Sequence, residues 1–227
     1  ANDGNGGTVS DAFVIDVGGT NDAPVGPAAG ALADGVEDVA YVVSAATLLA
    51  GFTDADGDTL SVTGLATSAG TLTNNGDGTW TLTTAANFNG AVTLSYTVTD
   101  GQGGSQAAAR SLNLAPANDA PVASAVTGAA SEDGPSVTVA SSFTDADAGD
   151  SHTFAVNTAG TLGAVTNNND GTFTYSPAGA FETLSAGQTA TDTFSYTVTD
   201  AAGAASTATV TITITGQNDA PVALAVT

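Results

Sequence analysis

The side chains of this chain that could do chemistry are almost all oxygen donors. Asp54-Ala55-Asp56-Gly57-Asp58 sets a carboxylate at every second position, and Asp145-Ala146-Asp147 with Asp150 repeats the theme. Asn21-Asp22, Asn118-Asp119 and Asn218-Asp219 each put an amide beside a carboxylate. Glu37-Asp38 and Glu132-Asp133 pair two acids, and Asp100 and Asp200 each close a Tyr-Thr-Val-Thr run. Against 23 acidic residues stands a single base, Arg110, for a net charge of −22. Carboxylates crowded in this way repel one another unless a cation joins them. Calcium takes six to eight oxygen ligands at about 2.3–2.6 Å, from carboxylates, amides and carbonyls. Zinc prefers His and Cys, and the chain has one His and no Cys. Magnesium keeps its waters and demands stricter geometry. The donor set therefore points to Ca2+.

The same composition excludes several functions. With one basic residue the chain has no means of neutralising phosphates, so nucleic acid is not a partner. An anionic membrane surface is equally unsuited. No run of 18 apolar residues exists, so no transmembrane helix is expected. No signal peptide is visible at Ala1, and the chain opens in mid-pattern, as a fragment of something longer would. Without Cys there is neither a disulfide nor thiol chemistry. One His without a positioned Ser makes no triad, and the acids fall at turns and joints, so no enzyme is expected. An enzyme would need a substrate-sized cleft holding Glu182 or Asp192.

Asn-Asp-Ala-Pro-Val begins at Asn21, Asn118 and Asn218, so the copies are 97 and 100 residues apart. That interval is domain-sized. Short runs such as Thr93 to Thr99 and Thr209 to Thr215 alternate β-branched and polar residues, as half-buried strands do. Many short strands and no long helical period predict an all-β chain of two tandem β-sandwiches, about seven strands each. In the first unit, strands are expected at Ala40 to Leu49, Thr59 to Leu65, Val92 to Thr99 and Ser105 to Leu114. A hairpin joins Thr71–Thr73 to Thr79–Thr83 through Asp77-Gly78. Phe143-Thr144-Asp145-Ala146-Asp147 and Phe194 to Asp200 echo Phe52 to Asp56 and Leu94 to Asp100. The expected division is 1–20, the last strand of a preceding repeat; 21–117 and 118–217, two whole repeats; and 218–227, the first strand of a following one. Phe13 to Val17 would be the orphan strand.

Alternating strand direction gathers the acids at the ends of the units. Asn21, Asp22, Asp54, Asp56, Asp58 and Asp100 meet at one end of the first unit. Glu37 and Asp38 fall at its other end, and the second joint would gather them with Asn118, Asp119, Asp145, Asp147, Asp150 and Asp200. Glu132, Asp133, Asn218 and Asp219 take the corresponding places at the far end of the second unit. Asp54-x-Asp56-x-Asp58 resembles the opening of an EF-hand loop, but Thr59 stands at the sixth position and Leu65 where the bidentate Glu belongs. Asp77-Gly78 and Asp170-Gly171 read as plain hairpin turns.

The order Asn-Asp-Ala-Pro-Val, Glu-Asp, Phe-Thr-Asp-Ala-Asp, Asp-Gly-Thr before an aromatic, then Tyr-Thr-Val-Thr-Asp resembles the VCBS and cadherin-like repeats of giant RTX-type bacterial adhesins. The resemblance covers essentially the whole chain. It implies immunoglobulin-like or cadherin-like sandwiches in the extender region of a calcium-dependent protein. It further implies an extracellular bacterial cell-surface location, type I secretion and a role in biofilm formation or attachment. The partners would be neighbouring repeats of the same chain, with other cells or surfaces reached through other domains. The cadherin comparison implies calcium shared between units, with roles matching Glu37, Asp54, Asp56, Asp100 and Asp119. Asp147-Ala148-Gly149-Asp150 carries one more residue than the first unit's turn, which puts Asp150 in doubt as a ligand. The alternative is a ligand-binding module for sugar, peptide or another copy. Trp80 and Leu82, like Phe173 and Tyr175, are expected in the core, and His152 is expected at the surface beside Asp150. Arg110 shares the inward parity of Leu112 and Leu114. A bulge or snorkelling is expected to bring it out, the other course being a carboxylate partner.

Overall fold

The computed structural model describes Asn5 and residues 19–219. The expected strand at Phe13 to Val17 lies outside the described residues, as does the greater part of 218–227. The chain divides into two units, Ala1–Pro116 and Ala117–Thr227.

The first unit has two sheets. One has the order β1 (Ala29–Ala31), β8 (Ser105–Ala115), β7 (Gly90–Thr99), β4 (Ser61–Thr67), with β2 (Gly35–Val36) also on β8. The other is β3 (Tyr41–Ser44), β6 (Thr79–Thr83), β5 (Thr71–Asn74). β1 and β2 run parallel to β8, and β7 and β8 are antiparallel. Alternation along β7 sends Val92, Leu94, Tyr96 and Val98 inward, and Leu112 and Leu114 of β8 join them. Leu82 completes this core, with Trp80 half-buried against it.

The second unit repeats the plan. One sheet is β10 (Val126–Ser131), β17 (Ala205–Thr215), β16 (Thr189–Thr199), β13 (Thr153–Asn157). The other is β11 (Val137–Ala140), β15 (Thr172–Ser176), β14 (Ala164–Asn167). A pair, β9 (Val122–Ser124) with β12 (Ser142–Thr144), replaces the single Val25–Thr53 bridge of the first unit. Phe173, Tyr175, Tyr196, Val210, Ile212 and Ile214 are fully buried. The fold is thus the expected all-β pair of sandwiches, and the core aromatics stand where alternation puts them. Asp77 Oδ1 caps its own hairpin by accepting Thr79 N–H (3.0 Å) and Oγ1–H (2.6 Å), and Asp170 does the same for Thr172. Both are turn residues, as expected.

Two expectations need correction. The strand expected at Ala40 to Leu49 stops at Ser44, and Ala45–Leu48 form one helical turn, α1. Ser44 caps that turn by accepting the Thr47 N–H (3.1 Å), and Gly51 leaves it at φ 86°, a conformation that favours Gly. Leu48 is thereby driven fully into the core.

Arg110 neither sits on a bulge nor snorkels. The β7–β8 register runs unbroken through its pairing with Leu94, and the residue is 5% exposed. Its guanidinium donates to carbonyls instead: Nη2 to Ala50 O (3.0 Å), Nη1 to Pro27 O (3.3 Å) and Ala109 O (3.4 Å). The Phe52 ring lies below it, 5.7 Å from Cζ to the centroid. Ala50 lies two residues beyond α1, and Arg110 satisfies its carbonyl. A Cβ at Gly30 would come within 3.0 Å of Nη1, so the neighbouring strand leaves room for the guanidinium.

Asp192 is buried as well, but it is a structural fastener. It accepts from the N–H groups of Leu162 (3.1 Å), Gly163 (2.8 Å) and Thr193 (2.9 Å) and from Tyr175 Oη–H (2.8 Å). Burial pushes its carboxyl up, but the bonds from Gly163, Tyr175, Leu162 and Thr193 outweigh burial and hold it below the ordinary carboxylate range. Burial, and then Asp192, push the Tyr175 phenol up.

Two outcomes follow for urea unfolding of the intact chain. Arg110→Lys keeps the charge but cannot reach Ala50 O and Pro27 O together, and it is expected to destabilise the first unit by about 1–2 kcal/mol. Asp192→Asn turns an amide donor towards N–H groups and is expected to lower the second unit's stability by about 2 kcal/mol at neutral pH. A carboxylate with a lowered native pKa contributes stability that is present above its unfolded value and lost as pH falls through the native one. The gap between wild type and Asp192→Asn therefore narrows below about pH 4.

Candidate metal centres

In the first unit the turn between Phe52 and β4 carries Asp54, Asp56 and Asp58. An Asx-type bond from Asp56 N–H to Asp54 Oδ1 (2.9 Å) folds it back. Asp56 Oδ2 then accepts the Asp22 N–H (2.7 Å), and Asn21 Nδ2 donates to Asp100 Oδ2 (2.9 Å). Asp100 Oδ1 takes the N–H groups of Gln102 (2.7 Å), Gly103 (3.1 Å) and Gly104 (3.0 Å). A Cβ at Gly104 would lie within 2.1 Å of Asp100 Oδ2, so only Gly permits this closure. The sandwich thus brings Asn21, Asp22, Asp54, Asp56, Asp58 and Asp100 to one end of the unit.

The electrostatics of that end are uneven. The Asn21 amide, with the N–H groups of Gln102, Gly104 and Gly103, holds Asp100 below the usual carboxylate range. Burial, and then Asp54, Asp100 and Asp56, push Asp58 up. Asp54, Asp56 and Asp58 each offer an oxygen within 4.8 Å of the others. Two oxygens on one calcium ion, each at about 2.4 Å, can be no farther than about 4.8 Å apart. Asp54 Oδ2 is buried with no hydrogen-bond partner. A buried oxygen left unpaired is costly, and a cation there would satisfy it.

The second unit repeats the linker contacts and changes the turn. Asp147 N–H donates to Asp145 Oδ1 (2.9 Å), Asp119 N–H to Asp147 Oδ2 (2.7 Å) and Asn118 Nδ2 to Asp200 Oδ2 (2.9 Å). Asn118, with the N–H groups of Ala204, Gly203 and Ala202, lowers the pKa of Asp200. His152 is not at the surface beside Asp150. Its Nε2 lies 2.7 Å from Asp145 Oδ2, and its side chain is 13% exposed. That hydrogen bond, with the Asp147 N–H, holds the Asp145 carboxyl down. Among the described residues, Asp145, Asp147 and Asp150 do not converge as Asp54, Asp56 and Asp58 do. The additional residue in Ala148-Gly149 lengthens the turn that carries Asp150, whose N–H closes on Asp147 O (3.2 Å).

At the opposite ends, Glu37 and Glu132 are both buried, 2% and 4% exposed. Glu37 Oε2 accepts from Asn89 Nδ2 (3.1 Å). Asp38, at φ 58°, accepts the Asn87 N–H (2.9 Å) and so also ties down a loop. Glu132 Oε1 takes the Gln217 N–H, and its Oε2 is buried with no hydrogen-bond partner. Asp133, Glu182 and Asp219 bring oxygens within 4.8 Å of one another. Burial, then Asp133, Asp219 and Glu132, push Glu182 up. The Asn218 amide donates to the Asp219 carbonyl at 3.5 Å. Glu182 and Asn89 were missed as ligand candidates. Each follows a phenylalanine, Phe181 or Phe88, a shared signal that alignment of the two units on those residues exposes.

Residues 20–115 match the sequence profile of a cadherin-like domain, and residues 118–216 that of a bacterial cadherin-like domain. The chain carries two cadherin-like domains in tandem. No curated protein matches it. Among solved structures it is similar to Drosophila N-cadherin EC1-4, with a TM-score of 0.51 and 18% identity over 87% of this chain and 50% of that one. Human mucin-like protocadherin EC1-2 is 14% identical, with a TM-score of 0.45 over 86% of this chain and 98% of that one. An endo-fucoidan hydrolase of glycoside hydrolase family 107 gives a TM-score of 0.36 at 19% identity, over 92% of this chain and 31% of that one. The chain thus spans half the N-cadherin structure and about a third of the hydrolase. At these identities the likeness bears on the fold alone. No helix of the described residues is long and apolar enough to cross a membrane.

In the first cadherin-like domain, Asp58→Asn separates repulsion from ligation. With cations removed by EGTA, it relieves the carboxylate crowding and is expected to raise the melting temperature. With one charge fewer, calcium affinity is expected to fall about tenfold. Melting curves of both chains across a calcium titration check both signs.

Proposed function

We propose that this chain is a calcium-rigidified extender segment of a large bacterial cell-surface adhesin. On this reading its two cadherin-like domains hold a terminal binding domain away from the cell. The observation that carries it is the Asp54, Asp56 and Asp58 triplet with its buried, unpartnered Asp54 Oδ2. That triplet is hydrogen-bonded through Asp56 to the linker residue Asp22. The donors fit calcium in kind, since all are oxygen and none in the first domain is His or Cys. Asp54, Asp56 and Asp58 would hold an ion at the first domain. Asp22, Asn21 and Asp100 would complete that end. Asp119, Asp145, Asp147, Asp200 and Asn118 form the corresponding set in the second domain, where Asp150 contributes least. Glu132, Asp133, Glu182 and Asp219 make a set at its far end, and Asn218 lies on the linker there. Glu37, Asp38 and Asn89 are the equivalents in the first domain.

Bound calcium supplies positive charge that offsets mutual repulsion. Everything else is done by the chain. Asn21-Asp22 and Asn118-Asp119 belong at once to a linker and to a domain end, so fixing the end immobilises the linker. Extracellular modules bind calcium at about 10⁻⁴–10⁻³ M, so such sites fill outside the cell and stay empty in the cytosol. The VCBS-like motif order favours the adhesin setting, with export by type I secretion and a role in biofilm or attachment.

Small-angle scattering and thermal melting, in millimolar calcium and then in EGTA, test this. A site with a dissociation constant of about 10⁻⁴ M adds about 1.4 kcal/mol at about 1 mM calcium. Several such sites are expected to raise the melting temperature by several degrees, with a longer maximum dimension in calcium than in EGTA. If neither quantity changes, calcium is not the lock, and the acids are surface charge.

A further inference from the structure

The entering ends of the two domains share their linker contacts and differ in the length of the acidic turn and in one hydrogen-bond partner. In the first, Asp56 N–H takes Asp54 Oδ1, and Asp54 Oδ2 is buried with no hydrogen-bond partner. In the second, Asp147 N–H takes Asp145 Oδ1, and His152 Nε2 meets Asp145 Oδ2 at 2.7 Å. Strand register fixes the correspondence. Ser61 pairs with Thr99 just before Asp100, and Thr153 pairs with Thr199 just before Asp200. His152 therefore stands where the first domain has Leu60.

The histidine is held in that place. Its ring lies 4.7 Å from the Phe143 ring, centroid to centroid, and Phe143 in turn meets Phe154 edge-on at 5.7 Å. An ionised carboxylate only accepts, so the imidazole Nε2 carries the proton between them. The bond is charge-assisted and short.

We propose that His152 lowers the second domain's affinity for calcium by occupying the Asp145 oxygen that the first domain leaves open, so that the two domains fill in order, the first before the second. This rests on the calcium reading above. An ion arriving at Asp145 must displace or share a hydrogen bond that Asp54 does not make. It also approaches a donor N–H whose positive end faces the same oxygen. A hydrogen bond to a charged group is strong enough for its loss to shift an affinity about tenfold. Sequential filling would make the two domain ends respond to different calcium concentrations, although their acidic motifs look alike.

Backbone amide resonances of the intact chain, followed through a calcium titration at one fixed pH, read the two ends separately. Asp56 N–H reports the first and Asp147 N–H the second. In the wild type the Asp147 midpoint is expected at about tenfold higher calcium than that of Asp56. His152→Leu installs the first domain's residue and is expected to bring the Asp147 midpoint down about tenfold, leaving Asp56 unmoved. His152→Phe keeps the packing on Phe143 without an N–H and is expected to do the same, and the spectrum itself shows that either variant is folded. Equal wild-type midpoints overturn the inference and leave the calcium reading standing. So does a gap that both variants leave unchanged or widen. Failure of both amides to move up to about 10 mM calcium, well above the range for extracellular modules, overturns the calcium reading and this inference together.

Discussion

Like charge without a counter-charge is the constraint around which both domain ends are organised. The chain sets 23 acids against one base, and that base is spent inside the first domain on carbonyls. The ends therefore rely on N–H groups where another protein would use lysine or arginine. Asp100 and Asp200 are the best served, each collecting an asparagine amide and backbone N–H groups from its own turn, and both are held in the ionised form. The carboxylates pushed the other way are Asp58 and Glu182. Each belongs to a triplet of converging oxygens, Asp54, Asp56 and Asp58 or Asp133, Glu182 and Asp219. Beside the first lies the unpartnered Asp54 Oδ2, and beside the second the buried Glu132, whose Oε2 is unpartnered and whose charge bears on Glu182. The places where the protein's own donors run out coincide with the places where acids resist ionising. Those are the places where the proposed calcium would supply what the chain lacks.

The sandwich makes this possible because its core is assembled from strand pairs rather than from the end carboxylates. Long strand pairs, β7 with β8 and β16 with β17, carry alternating apolar residues that fill each core. Tyr96 and Tyr196, equivalent in the two domains, anchor their hydroxyls on carbonyls of the opposing segment, Leu48 O in one case and Ser124 O in the other. With the frame so secured, turns at the ends can hold repelling groups close together. Stability generated in the core offsets the repulsion at the periphery.

Strand positions, the paired hairpins and the core aromatics were legible because period-two alternation is a local signal. The gathering of Asn21, Asp22, Asp54, Asp56, Asp58 and Asp100 was legible because strand direction alternates and the motif repeats. The α1 turn was missed although its signals are present, Ser44 as cap and Gly51 at the exit, because Ala45–Leu48 also continues an apolar run. Arg110 was misread because its partners are main-chain carbonyls, which no sequence pattern displays. His152 was assigned to Asp150 by proximity along the chain, whereas the strand turns its ring towards Asp145, seven residues away. Glu182 was named only for the cleft an enzyme would need, because its companions Asp133 and Asp219 are distant in sequence and meet only in the fold.

Two domains with one plan invite the assumption that their sites are equivalent. The exchanges between them argue otherwise, and each follows from what the local backbone offers. Arg110 takes the position of Val210, both facing the preceding strand at Leu94 or Phe194. The exchange is tolerated because Ala50 O, in the loop just after α1, receives the guanidinium. Asn89 stands where Glu182 does, and the amide lets the first domain satisfy Glu37 internally where the second domain accumulates charge. Leu60 stands where His152 does, and there the second domain supplies a donor that the first lacks. At each end one domain has found a partner within its own chain and the other has not. The end with an internal partner is the first domain's at Glu37 and the second domain's at Asp145. The repeat therefore keeps the arrangement of acids while alternating which end supplies its own donor.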